Sequence, residues 1–294
     1  MIVWYYGLSV LGSLLCSAVY FWKWRKRFDI YFSLLYVLFP IVCVGYLLFS
    51  IAPDLGAAIV ANKITYIGGC YLELILMLSI FSLCHIRVRK WISFMLVVVS
   101  TILYGGALSV GYSDIFYKKV SYRLEDGIVI LTKEYGPLHQ IFYAVLIVYF
   151  LISIIALIYG AIRHPDASIK NIYLLVLSEA VSIVAFFFGR MITNKVEFIP
   201  MAYVFDSVTY LIIVDRICLY DVEDSAIDRM VARGEEGFVS FDYHLNFLGC
   251  NAVACGYLPA LKGVRVDVSL PVDNQVKSFL EDALRAFEAE EISR

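Results

Sequence analysis

Seven long apolar runs constrain this chain more than any other feature of its sequence. They fall at 3–22, 30–51, 64–84, 91–111, 138–162, 171–190 and 199–219. A helix crosses roughly 30 Å of hydrocarbon with about 20 apolar residues at about 1.5 Å each, and every run meets that length. In lipid each backbone polar group must be satisfied within the spanning structure, so only helices and closed barrels qualify. The runs are continuous and do not alternate apolar with polar, which excludes a barrel. Composition agrees: 61% of residues are hydrophobic and 17% charged, against roughly 45–50% and about 25% in a soluble domain. The sequence predicts an all-α membrane protein, a seven-transmembrane helix bundle in the lipid bilayer of the cell membrane. A net charge of −2, with no basic block larger than the cluster from Lys23 to Arg27, gives no reason to expect a nucleic-acid partner.

The first run is an anchor and not a secretory leader, because Lys23, Arg25, Lys26 and Arg27 follow the apolar stretch where a leader carries its charge first. Orientation follows from loop charge. With the N-terminus outside, the inner loops (23–29, 85–90, 163–170) carry nine Lys or Arg in 21 residues, and the outer loops (52–63, 112–137, 190–198) carry seven in 47. That density favours N-out. An odd number of crossings then places everything after residue 219 in the cytoplasm. Five of the seven cysteines lie in or at the edges of apolar runs and none falls in an outer loop, so no disulfide is expected, and Cys250 and Cys255 read as ordinary packing residues.

Several chemistries are excluded. The four histidines (His85, His139, His164, His244) fall at helix ends or outside the membrane, unsuited to a haem bundle, and the last run has no lysine for a retinal Schiff base. No HExxH, GxSxG or GxxxxGK motif occurs. No cofactor, metal site or catalytic residue is expected from this sequence.

The intramembrane charges are the candidates for function, since each costs a few kcal/mol, roughly 2.5–3.5 on insertion scales, unless paired or hydrated. They are Glu73, Glu179 and Asp206. Counted from the outer ends they lie about 13, about 16 and about 10 Å deep. Arg190, near the outer end of the sixth run, is expected to reach Asp206. Two readings stand side by side: a polar ligand pocket opening outward, or an interhelical hydrogen-bond clamp. One outer loop is patterned as well. Stretches 119–124 and 128–133 alternate in the manner of strands and flank Glu125-Asp126-Gly127, where Asp-Gly suits a tight turn. This predicts an extracellular hairpin lid, with Tyr122, Asp126 and Gly127 as its key residues, resting on helix ends through Tyr122, Ile128 and Ile130.

After residue 219 the character changes. Positions 220–294 hold 14 acidic and seven basic side chains, which marks a soluble segment. Within 220–233, Val222, Ala226, Ile227, Met230 and Val231 form a stripe suited to pairing with a second copy, so a homodimer through this signalling helix is expected. Segment 234–294 follows, with a strand from Gly237 to Asp242, a turn, a short strand at 247–249 and a helix opened by Asn251. Positions 274–291 read as one amphipathic helix.

Taken in order, the stretches Asn62-Lys-Ile-Thr-Tyr-Ile-Gly68, Tyr135-Gly-Pro-Leu138 and Asp215-Arg-Ile-Cys-Leu-Tyr220, followed by the GFVSFD and LGCNAVA stretches, resemble the seven-transmembrane N-terminal region of bacterial histidine kinases and diguanylate cyclases over about 1–220. The GFVSFD and LGCNAVA order resembles the start of a PAS sensor domain, giving a small cytoplasmic α+β PAS-like tail. The resemblance implies a sensor domain at 1–219 that takes an extracellular or membrane-borne ligand and passes the signal to a cytoplasmic output domain of cyclase or kinase type. Neither a GGDEF motif nor a phosphoacceptor region lies in these residues. The competing reading is a small seven-helix transporter or channel that uses the intramembrane carboxylates.

Overall fold

The computed structural model describes residues 2–23, 29–125, 127–163, 168–189, 196–231, 237–242, 244–261, 263–269, 277 and 282. In chain order the helices are α1 (Ile2–Lys23), α2 (Ile30–Ser50), α3 (Leu55–Leu83) and α4 (Lys90–Leu108). The strands β1 (Tyr117–Glu125) and β2 (Ile128–Tyr135) follow, then α5 (Pro137–Arg163), α6 (Ile169–Phe187) and α7 (Ile199–Val231). The remainder is β3 (Val239–Phe241), β4 (Asn246–Cys250), α8 (Ala252–Tyr257), a 3₁₀ turn at Pro259–Leu261 and β5 (Val268–Ser269).

Among the described residues six helices, α1 to α6, are long and apolar enough to cross a membrane. The seventh expected span lies within α7, which carries Asp206, Asp215 and Arg216 along its apolar stretch. The third span begins at Leu55, earlier than the expected 64, because Asp54 caps it, its side chain accepting from Ala57 N at 2.8 Å. The expectation weighed apolar density alone, and a capping carboxylate overrides it. Lys63 therefore lies inside a helix and not in a loop, its ammonium 4.9 Å from the centre of the Tyr112 ring.

Helix α1 is patterned inside out. Along α1 the buried residues are Tyr6, Ser9, Ser13, Ser17 and Tyr20, while Trp4, Leu8, Leu11, Leu15 and Trp22 face outward. That is the arrangement lipid selects: small and hydroxylated residues bring helices close and hydrogen-bond across them, while apolar side chains meet hydrocarbon. Ser17 Oγ donates to Tyr36 O at 2.6 Å, Tyr36 Oη donates to Ser207 O at 2.8 Å, and Tyr210 Oη and Ser79 Oγ share a hydrogen at 2.7 Å.

Strands β1 and β2 form an antiparallel hairpin in which Glu125 faces Ile128 across the turn, and Gly127 adopts φ +73°. Asp126 lies outside the described residues. Opposed residues share a face, so the register puts Tyr122 with Leu131 and Leu124 with Val129. Val129 and Leu131, and not the expected Ile128 and Ile130, rest on Ala52 and Ala58. The expectation mixed the two faces of β2. Tyr122 is in its expected place, with its hydroxyl donating to Ala52 O at 3.0 Å.

The chain divides into two compact units, Met1–Tyr159 with Leu174–Ile213, and Gly160–Tyr173 with Val214–Arg294. In the second, β3, β4 and β5 form a three-stranded antiparallel sheet in that order. The third strand was not expected, being only two residues long. Asp242 ends β3 and shapes the turn, its side chain accepting from His244 N (2.9 Å), Asn246 N (2.8 Å) and Asn246 Nδ2 (2.8 Å). Asn251 caps α8 by accepting from Ala254 N at 2.8 Å. Cys250 and Cys255 are joined as a disulfide, contrary to the expectation of none, because the capped turn brings their Cα atoms to 6.5 Å. The helix expected at 274–291 lies almost wholly outside the described residues.

Candidate functional site

Helix α3 contains a π-turn at Gly68–Leu72, a local widening of the helix that is frequent at functional sites. The two glycines that open it serve close approach. A Cβ on Gly68 would sit 2.9 Å from Val42 Cγ1 and 3.0 Å from Tyr203 Oη, and one on Gly69 would sit 2.8 Å from Phe142 Cζ. Without them Tyr203 and Phe142 rest against the backbone of α3. Both line a cleft together with Tyr46, Asn62, Tyr66, Lys133, Glu197 and other residues.

The polar groups of this cleft come from separate elements. Val129, Leu131 and Lys133 alternate along one face of β2, so the register that seats the hairpin also turns Lys133 inward. Its ammonium donates to Asn62 Oδ1 at 2.6 Å. A lysine can only donate, which fixes the orientation of the Asn62 amide. Glu197, just before α7, is held through its backbone: its N–H donates to Tyr6 Oη at 3.0 Å, and its carbonyl accepts from Tyr5 Oη at 3.3 Å.

Behind the cleft, Tyr66 Oη meets His139 Nε2 at 3.0 Å and forms a close hydrogen bond with Tyr117 Oη. The His139 ring stacks on Tyr135 at 4.0 Å and meets the edge of Tyr143 at 4.7 Å, leaving His139 buried. Gly136 makes this possible, since a Cβ there would meet the backbone oxygens of Ile115 and Asp114, and its N–H donates to Phe116 O at 2.9 Å.

The predicted intramembrane carboxylates do gather. Asp206 is fully buried and accepts from Ser178 Oγ at 2.5 Å and Ser182 Oγ at 2.7 Å, two hydroxyls one turn apart on α6. Glu179 and Glu73 are buried as well, within electrostatic reach of one another and of Asp206. Tyr203, buried and lining the cleft, lies within electrostatic reach of Glu73 and Asp206. Arg190 lies outside the described residues. Val222, Ile227, Met230 and Val231 belong to α7, and their side chains also lie outside the described residues. Among the described residues no three His, Cys, Asp or Glu side chains are placed to hold a metal ion.

The second unit has its own polar centre, which sequence reasoning missed. Asp267, with a side chain 1% exposed, receives both oxygens' worth of hydrogen bonds from Arg216 Nη2 at 2.8 Å, lies 3.5 Å from Lys170 Nζ and accepts a close bond from Ser168 Oγ. Arg216 Nε also donates to Asn171 Oδ1 at 2.8 Å. Lys170 stands 3.5 Å from Asp242 as well. Burial acts to raise the Asp242 carboxyl, but the hydrogen bonds from Asn246 and His244 and the charge of Lys170 outweigh it, and the group sits below its ordinary value. Asp267 adopts φ +67°, uncommon for a residue with a Cβ, in a backbone fixed by these bonds.

The missed residues carried signals that spacing alone did not expose. Tyr66, Gly136 and Arg216 all fall inside or beside the short stretches that carry the family resemblance, and His139 follows one of them directly. Over residues 8–222 the chain matches the model of a family described as the N-terminal 7TM region of histidine kinase. No curated protein matches it. That match spans most of the chain, and with six apolar helices ahead of α7 it establishes that this membrane protein belongs to the histidine kinase N-terminal 7TM region family.

Proposed function

We propose that this chain is the input module of a bacterial membrane receptor, with seven spans, an outside N-terminus and a cytoplasmic C-terminus. The hairpin acts as an extracellular lid, and a signal received beneath it travels through α7 to an output domain of diguanylate cyclase or histidine kinase type. The tail after residue 234 serves as a PAS-like connector. Chains pair through the stripe of Val222, Ile227, Met230 and Val231. The observation that carries this reading is the length of α7, 33 residues without a break, from its start at Ile199 beside the cleft into the signalling helix. A continuous helix can transmit rotation or piston motion without melting.

Register tests the relay. In a chain joined to a diguanylate cyclase domain, four residues inserted after Asp224 turn the downstream helix by about 40°, and two turn it by about 160°. The two-residue insertion is expected to lock or uncouple cyclase output far more than the four-residue one. Equal behaviour of both would mean a flexible tether and would sink the mechanical reading. Cysteines introduced at Ser113 and Ser225, in a background with its own cysteines removed, test the topology: an impermeant thiol reagent on intact cells should label the first and spare the second.

A further inference from the structure

We propose that Cys250 and Cys255 form a redox-responsive pair, a dithiol that hydrogen peroxide oxidises to a disulfide and that dithiol reductants restore. This goes beyond the relay proposed above and rests on it in one respect, the cytoplasmic placement of the tail. Three observations carry it. First, the two cysteines are joined at a sequence separation of 5 with their Cα atoms 6.5 Å apart, inside the span that a disulfide bridges. A cytoplasm keeps thiols reduced, and the disulfides that form there are usually transient and catalytic or redox-sensing. Second, both cysteines are partly exposed at the rim of the small core of Phe247 and Leu261, whereas Cys43, Cys70 and Cys84 are buried. Exposure is what admits an oxidant or an attacking thiol. Third, the pair brackets the residue that anchors the entrance of the tail. The Asn251 side chain accepts from Phe238 N at 3.0 Å and from Ala254 N at 2.8 Å, its N–H donates to Phe238 O at 3.0 Å, and its carbonyl accepts from Cys255 N at 3.1 Å. Phe238 lies just beyond α7 in sequence, and a Cβ on its neighbour Gly237 would meet Ala254 Cα at 2.9 Å, so the incoming chain rests directly on α8.

The chemistry balances with hydrogen peroxide as oxidant. One thiol attacks the O–O bond, giving a sulfenic acid and water; the second thiol attacks that sulfur, forming the S–S bond and releasing another water. Two thiols lose two electrons and two protons, and one peroxide becomes two waters. A dithiol reductant reverses the step by exchange and is itself left as a disulfide. The oxidised pair ties the end of β4 to α8, a helix of 6 residues that is too short to hold its own shape. Reduction leaves α8 with its cap and backbone bonds alone, and the change is felt at Phe238, where the chain enters the sheet.

The test uses the full chain in intact cells, quenched with acid and alkylated before and after reduction, so that mass spectrometry reads the state of each cysteine. The pair should be a dithiol in unstressed cells, become a disulfide within a pulse of hydrogen peroxide, and return once the peroxide is gone. A pair that stays a dithiol through the pulse, or that stays a disulfide in unstressed cells, overturns the proposal. In detergent, amide exchange over 237–257 should be about tenfold slower in the oxidised chain than in the chain reduced with dithiothreitol. The double variant Cys250→Ser, Cys255→Ser should match the reduced chain in both buffers, which separates the bond from any general effect of the reductant. Equal exchange in the two forms overturns the link to the entrance of the tail. The receptor reading fails separately: labelling of Ser225→Cys by an impermeant reagent defeats the topology whatever the state of the pair, and an unresponsive pair leaves the outcome of the insertion test unchanged.

Discussion

The hairpin cleft and the Asp267 cluster hold polar groups by opposite means. Around the cleft, the described hydrogen bonds join tyrosine hydroxyls to a histidine and to each other, and the Lys133 ammonium to the Asn62 amide. In the second unit a buried carboxylate is answered by one guanidinium nitrogen that reaches both its oxygens, an ammonium and a hydroxyl. Neutral hydrogen bonds contribute about 0.5–1.5 kcal/mol each and exchange partners readily, whereas removing one member of a buried ion pair costs about 3–5 kcal/mol. The first arrangement suits a place where a ligand comes and goes. The second suits a joint that keeps one geometry until it is broken.

The comparison is broken most directly at Arg216. Arg216→Gln removes the guanidinium nitrogen that meets both Asp267 oxygens at 2.8 Å, and should destabilise the second unit by about 3 kcal/mol or more. Arg216→Gln combined with Asp267→Asn should cost less than the sum of the two single changes, because no lone charge remains. The readout is amide exchange over 237–269 in the full chain. Additive effects would mean that the Arg216 to Asp267 contact contributes no coupling, and the contrast between the two regions would fail.

A smaller effect is expected at Gly136. Gly136→Ala pushes a methyl against the carbonyls of Ile115 and Asp114, backbone atoms that cannot rotate away. Overpacking of this kind costs about 1–3 kcal/mol. Thermal unfolding should fall, and exchange should rise at β1, β2 and the start of α5, with no change at 237–269. A matching change in the Asp267 segment would show that the two regions do not respond independently.

The fold was legible wherever one physical force dominated. Six apolar runs matched helices because hydrocarbon demands length, and the hairpin followed from strand alternation around Asp-Gly. The start of α3 was misplaced because a single capping carboxylate, Asp54, outweighed the hydropathy of the residues after it. The site was only half legible. Glu73, Glu179 and Asp206 stand out in a sequence because charge is scarce in a membrane, and they are brought together. Asn62, Tyr66, Lys133 and His139 did not stand out, since hydroxyls, an amide and a helix-end histidine are common. What joins them is the parity of β2, which turns Lys133 inward, and the glycines that admit Tyr203 and Phe142. Which face turns inward is set by the packing of Val129 and Leu131 on Ala52 and Ala58, a tertiary fact that no local pattern states. The Arg216 to Asp267 pair was hidden for a similar reason: 51 residues separate its members.

The smallest effect sharpens the comparison within the second unit, at Asp242. Its carboxyl is exposed enough to titrate, and its folded value lies below the ordinary one because bonds from Asn246 and His244, aided by Lys170, outweigh burial. A depressed carboxyl contributes stability that is fully present above its unfolded value, about 3.9, and is lost as pH falls through the folded value. The β3–β4 turn should therefore hold unchanged from neutral pH to about 4 and loosen below that. Asp242→Asn, which cannot ionise, should remove this acid-dependent part while it also weakens the turn at every pH. The measurement is the difference in amide protection at Asn246 and Phe247 between the two proteins across pH 3–6. A pH-independent difference would show that Asp242 works only as a neutral turn former and that its charge, unlike that of Asp267, contributes nothing to the unit.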